Sequence, residues 1–126
     1  MANLQRFRLV GGEITDQGLA HLKGLTAMQD LFIAAGVSDA GLVHLSQMPL
    51  VKLGFFQSRI TDAGLDKLQS FFPQLKELRL LSLGLITEDG VERILGSCKK
   101  IEKVYIDHCK QISKKFCDSI KARGFC

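Results

Sequence analysis

No apolar run in this 126-residue chain approaches the roughly 20 residues that a helix needs to cross a bilayer. The first residues, Met1-Ala2-Asn3-Leu4-Gln5-Arg6, carry no apolar core of the kind that directs secretion. The expectation is a cytosolic or nuclear protein without membrane contact. Cysteine is sparse, and its spacing is wrong for metal. Cys98, Cys109, Cys117 and Cys126 stand 11, 8 and 9 residues apart, not in the close C-x-x-C-type pairs of zinc sites. Without a secretion signal a disulfide framework is not expected either. Cys109 and Cys117 read as buried thiols, and Cys126 falls outside any prenylation motif.

Motifs of catalysis are missing as well. There is no P-loop, no glycine-rich dinucleotide turn and no HExxH pair. His21 and His44 occupy a place that holds Lys67 and Arg93 further along, which reads as a solvated helix face. His108 neighbours Cys109, but adjacent strand residues point to opposite faces, so base and nucleophile would not converge. A non-catalytic protein with no cofactor or metal is the expectation.

What the chain has is repetition. Ile60-Thr61-Asp62-Ala63-Gly64-Leu65 recurs as Ile14-Thr15-Asp16-Gln17-Gly18-Leu19, as Val37-Ser38-Asp39-Ala40-Gly41-Leu42 and as Ile86-Thr87-Glu88-Asp89-Gly90-Val91, and its opening returns at Ile112-Ser113. The steps are 23, 23, 26 and 26 residues. A period in the twenties marks stacked copies of one unit. One domain over residues 1–126 follows, with repeats near 1–13, 14–36, 37–59, 60–85 and 86–111 and a C-terminal cap over 112–126.

Each unit pairs an extended half with a helical half. The extended halves are Leu4–Leu9, Met28–Ile33, Leu50–Phe55, Leu75–Leu80 and Ile101–Ile106, each closing on apolar residues two apart, the strand period. The helical halves open on Thr15, Ser38, Thr61, Thr87 or Ser113, which read as N-caps. Asp16, Asp39, Asp62 and Glu88 follow, where a carboxylate suits the helix dipole. Gly18, Gly41, Gly64 and Gly90 suggest a neighbouring backbone packed close. In the last helix Phe116, Cys117 and Ile120 face inward, while Lys114, Lys115, Asp118 and Lys121 make a polar cap. From Cys98 onward there are eight Lys/Arg against three Asp/Glu. That bias reads as a soluble end rather than a nucleic-acid site.

The spacing Leu75-x-x-Leu78-x-Leu80 followed by Ile86-Thr87-x-x-Gly90 resembles the leucine-rich repeat. The fuller Ile101-x-x-Val104-x-Ile106-x-x-Cys109-x-x-Ile112-Ser113 is similar to its cysteine-containing subtype, that of F-box proteins and ribonuclease-inhibitor-like proteins. Gly12, Ser58 and Leu83 stand where Cys109 stands in the last copy, and the second copy is shortened at Gly36-Val37. The resemblance implies an α/β fold, a right-handed solenoid or horseshoe arc. About five parallel strands would line its concave face and helices its convex face, with partners docking on the concave side.

Strand residues between the inward leucines should then form three columns on that face. The first alternates in sign: Arg6, Asp30, Lys52, Glu77, Lys103. The others run Arg8, Phe32, Gly54, Arg79, Tyr105 and Val10, Ala34, Phe56, Leu81, Asp107. Exposed aromatics beside arginines look like a protein-binding patch, with Arg8, Phe32, Phe56, Arg79, Leu81 and Tyr105 as partner-binding residues. Leu31, Phe55, Leu78 and Ile106 should fill the core. The expected function is an adaptor that binds a protein or peptide. The alternative is a terminal or structural segment of a larger leucine-rich-repeat protein, such as the substrate-recognition part of an F-box-like ubiquitin-ligase adaptor. The strand near Leu4 to Val10 should have one unpaired edge, inviting self-association or a partner there.

Overall fold

The structure, a computed structural model, describes residues 4–11 and 14–125. Five strands, β1 (Arg6–Val10), β2 (Asp30–Ala34), β3 (Lys52–Phe56), β4 (Glu77–Leu81) and β5 (Lys103–Asp107), lie side by side in chain order. All neighbouring pairs are parallel. Parallel neighbours need a crossover between them, and the helical halves supply it. They are α1 (Asp16–Leu19) continued by a 3₁₀ turn (Ala20–Leu22), a 3₁₀ segment (Asp39–Leu45), α2 (Asp62–Phe71), α3 (Glu88–Ser97) and, after β5, α4 (Lys114–Ala122).

Each strand begins two residues after the leading apolar residue of its extended half. Met28, Leu50, Leu75 and Ile101 are buried ahead of the strand instead of within it. The backbone turns there because two successive N–H groups share one carbonyl. Gln29 and Asp30 both donate to Gln5, at 2.8 and 2.9 Å, and Val51 and Lys52 both donate to Gln29. The arrangement recurs with Lys76 and Glu77 on Val51, and with Glu102 and Lys103 on Lys76.

The two repeat lengths have a physical explanation. The helical halves of the first two crossovers span seven residues each (16–22 and 39–45), whereas α2 and α3 have ten. That difference of three is the difference between the 23- and 26-residue steps. A 3₁₀ helix rises about 2.0 Å per residue against about 1.5 Å for an α-helix. The seven 3₁₀ residues 39–45 therefore reach about 14 Å and the mixed segment 16–22 about 12 Å, against about 15 Å for ten α residues. Tighter winding thus brings the short units close to the span of the long ones. A uniform set of α-helices is what the apolar spacing suggested, and the first two units depart from it for this reason.

Alternation along the strands puts one face against the helices. Leu31, Ile33, Leu53, Phe55, Leu78, Leu80 and Val104 join Leu42, Leu45, Leu65, Leu68, Val91 and Ile94 in one buried cluster. Ile106 was expected in this core and is only half-buried, because β5 is the last strand and no further strand covers its outer side among the described residues. Phe7 and Leu9 are half-buried for the same reason at β1. The β5 edge is partly closed: the Val104 N–H donates to the Phe125 carbonyl at 2.6 Å, and the Arg123 guanidinium lies over the Phe125 ring, 5.5 Å from its centroid. Ile120 of α4 is buried, while Lys114, Lys115, Asp118 and Lys121 face out as the capping pattern suggested.

The recurring acid and glycine have a shared role that differs from the one expected. Asp16 accepts from the Ser38 N–H (2.7 Å) and hydroxyl (2.5 Å) of the next unit. Asp39 does the same for Thr61, with the N–H at 2.8 Å, and Asp62 for Thr87, at 2.8 and 2.5 Å. Glu88 accepts from the Ser113 N–H at 2.8 Å. The carboxylates thus form rungs between units, and Thr15, Ser38 and Thr61 make no side-chain cap to their own helices. Only Thr87 and Ser113 also cap, toward Gly90 and Phe116. Gly41, Gly64 and Gly90 leave room for these carboxylates, not for a backbone, whereas a Cβ at Gly18 would meet only Ile14 at an ordinary 3.5 Å. A Cβ at Gly41 would sit 2.6 Å from Asp16 Oδ1, and one at Gly64 or Gly90 would overlap Asp39 or Asp62.

Candidate binding surface on the open face of the sheet

Strand pairing puts the second side-chain set of every strand on the face away from the helices. The observed register aligns Arg6, Asp30, Lys52, Glu77 and Lys103 as one lane, and Arg8, Phe32, Gly54, Arg79 and Tyr105 as the next. A third lane pairs Val10 with Ala34 and Phe56 with Leu81, then Asp107. These are the three columns expected from the repeat.

Within the charged lane, opposite charges pair less than their alternation implied. Arg6 meets Asp30 at 3.3 Å. Glu77, nearly buried at 9% exposure, turns along its own strand to Arg79 at 3.1 Å instead of to Lys52 or Lys103. The planar guanidinium offers a fork to the carboxylate that an ammonium lacks. Arg8, Lys52 and Lys103 consequently have no carboxylate partner among the described residues. Asp107 faces His108, with the ring nitrogen at 3.0 Å.

The middle lane is a row of arginines stacked on rings. Arg8 lies 5.1 Å from the centre of the Phe32 ring, and Arg79 lies 5.4 Å from that of Tyr105. Such contacts contribute about 0.5–1 kcal/mol when exposed, and they hold each arginine in a fixed pose. Gly54 makes the row continuous. A Cβ there would meet the Phe32 ring at 2.6 Å, so the missing side chain lets Phe32 lie across β3 toward Arg79. A depression of about 270 Å³ lies among Arg8, Phe32, Arg79 and Leu81.

Of the residues singled out from the sequence, Arg8 and Arg79 are exposed, and Phe32, Phe56, Leu81 and Tyr105 are half-buried. Phe32 and Tyr105 are covered in part by their arginines. All six stand on one face, with Phe56 and Leu81 in register beside the arginine row. Glu77 and Gly54 were placed on this face by the repeat but not among its partner-binding residues, and the parts they play in holding Arg79 and admitting the Phe32 ring were not foreseen. The signal for Gly54 was present, since a small residue interrupts an otherwise bulky column.

A larger concavity, about 560 Å³, lies at the other end between β5 and α4, beside Ile106, His108, Cys109 and Cys117. Cys109 is buried and donates to the Leu80 carbonyl at 3.3 Å, and burial pushes its thiol up. Burial likewise raises the Cys98 thiol. A protonated thiol is a weak nucleophile, and His108 turns to Asp107 and not to Cys109. Cys117, expected to be buried, is half-buried, and Cys126 lies outside the described residues, as does Gly12. On the helical side His21 is exposed, but His44 is half-buried, with Nδ1 enclosed and no hydrogen-bond partner among the described residues. The shared position of His21, His44, Lys67 and Arg93 is thus not uniformly solvated. No helix among the described residues is long and apolar enough to cross a membrane.

No protein-family model matches the chain, and no curated protein matches it.

Proposed function

We propose that the protein is a leucine-rich-repeat arc that acts as a non-catalytic binding module or adaptor, holding a protein or peptide segment on its open, concave sheet. The observation that carries this reading is the Arg8–Phe32 and Arg79–Tyr105 row with Phe56 and Leu81 in the adjoining lane. Stacked arginines and half-buried aromatics present large contact area with little rotamer freedom left to lose, the character of interface hot spots.

Charge adds a sign to the partner. The open face carries five basic side chains (Arg6, Arg8, Lys52, Arg79, Lys103) against three acidic ones (Asp30, Glu77, Asp107), and each acid already faces a base. The unpaired bases favour an acidic segment. Five strands about 4.8 Å apart give lanes about 19 Å long, room for about six extended residues. Their side chains alternate, so an extended segment along the lanes would set acids on the arginine row and apolar groups on Val10, Phe56 and Leu81. Selection from a display library of extended peptides tests this. The reading expects acidic residues alternating with apolar ones, lost when Arg79→Ala is the bait. Enrichment of basic sequences, or selection unchanged by Arg79→Ala, contradicts it.

A further inference from the structure

The interface between successive units is built repeatedly from the same three parts. A strand pairs in parallel, an apolar layer continues, and a carboxylate reaches the N–H of the next unit's Ser or Thr. The outer side of the first unit has the receiving half of each part. β1 ends the sheet, with no strand beyond it among the described residues. Phe7, Leu9 and Ile14 are half-buried there. Thr15 is exposed, and no described group accepts from its N–H or hydroxyl. Arg6, its side chain 80% exposed, ends the lane whose charges alternate.

We propose that this outer face docks one further strand–helix unit of the same kind, in parallel with β1, belonging to an acidic-rung partner. Its helical half opens with a carboxylate that completes a rung to Thr15. Its strand sets a second carboxylate beside Arg6 and apolar side chains on Phe7 and Leu9. The occupant follows from continuity with the interfaces already inside the molecule. A second copy stacked head to tail does not fit. Lys114 stands where its rung acid would be, and the Phe125 carbonyl already takes the Val104 N–H on β5.

The full chain can be given such a unit directly. A copy of residues 28–49 fused ahead of Leu4 places the copied Asp30 beside Arg6. It also sets the copied Asp39 22 residues before Thr15, the separation found for Asp39 and Thr61. The expected result is slower hydrogen exchange at the β1 amides, by about tenfold or more, and a melting temperature higher by about 5 °C or more. Thr15→Val should lower the melting temperature only in the extended protein, and Asp39→Ala made in the added copy should match that loss. The unextended chain should sediment as a monomer. Should this extension fail to order, a second one made from residues 75–100 brings the ten-residue α3, the Glu88 rung and Glu77 beside Arg6 instead. If both leave β1 exchange unchanged, if Thr15→Val lowers stability equally with and without the extension, or if the unextended chain assembles through β1, the proposal is overturned.

Discussion

Leu78 and Arg79 are neighbours in β4, yet one is fully enclosed and the other exposed. The same contrast runs along β3, where Leu53 and Phe55 are buried and Lys52 is exposed. One face of the sheet is an unbroken layer of aliphatic and aromatic side chains under the helices. The other carries charge, stacked arginines and half-covered rings. Because the side-chain period of a strand is two, a slip of one residue would exchange the two sets. The covered face therefore fixes the register, and the open face inherits a precise placement without contributing much to it. Side chains there can be chosen for a partner at small cost to folding.

The sharpest way to break this contrast is to truncate both faces. Leu78→Ala should destabilise the protein by about 2–5 kcal/mol in denaturant unfolding, because it removes enclosed methyl groups and leaves a cavity. An equal loss from an open-face truncation would erase the distinction.

A smaller effect should come from the rungs that tie the units together behind the sheet. Gly90→Ala would ordinarily favour a helix by about 1 kcal/mol. Here the new methyl overlaps the Asp62 carboxylate, so it should instead destabilise by about 1–3 kcal/mol through the broken hydrogen bonds to Thr87. In an Asp62→Ala background the same change should become neutral or stabilising. Simple additivity in that double-mutant cycle would show that the glycine is not there for the carboxylate.

Phe56→Ala and Tyr105→Ala on the open face should lower stability by only about 1 kcal/mol, since half-buried rings have less contact to lose. Smaller still is the pH effect at the last rung. The Ser113 N–H holds the Glu88 carboxyl below its ordinary value of 4.5. A depressed carboxyl contributes stability above that ordinary value and loses it as the pH falls through the lowered one. The advantage of the native protein over Glu88→Gln should therefore be flat near neutral pH and fade in acid. An advantage that grows on acidification would reverse the assignment.

Much of this was legible in the chain itself. The recurrence of Ile-Thr-Asp-x-Gly-Leu set the unit and the strand register, and so placed Phe32, Arg79 and Tyr105 in one column. Four features were not legible, each for a physical reason. Helix type depends on the distance to be crossed, so the 3₁₀ winding of Asp39–Leu45 follows from the next strand's position more than from local pattern. The rungs join residues 22 to 25 apart, and Asp39 reads equally well as a helix-dipole acid until its partner is seen. Ring coverage depends on where flexible arginines settle, which fixes Phe32 and Tyr105 as half-buried rather than bare. Left-handed backbone at Gln57, Ser82 and His108, just past β3, β4 and β5, was equally unmarked, since none of them is glycine.

The claim that the open face is the working surface is tested most directly by calorimetric titration of an acidic–apolar peptide into matched variants. Arg79→Ala, made with Glu77→Gln so that no buried carboxylate is left unpaired, should weaken binding by about 2 kcal/mol, or about 30-fold in Kd, with Tyr105→Ala acting alike. Lys67→Ala, exposed on the helical side, should bind as the native protein does. Equal losses from Arg79→Ala and Lys67→Ala, or a loss confined to the helical side, would contradict the account.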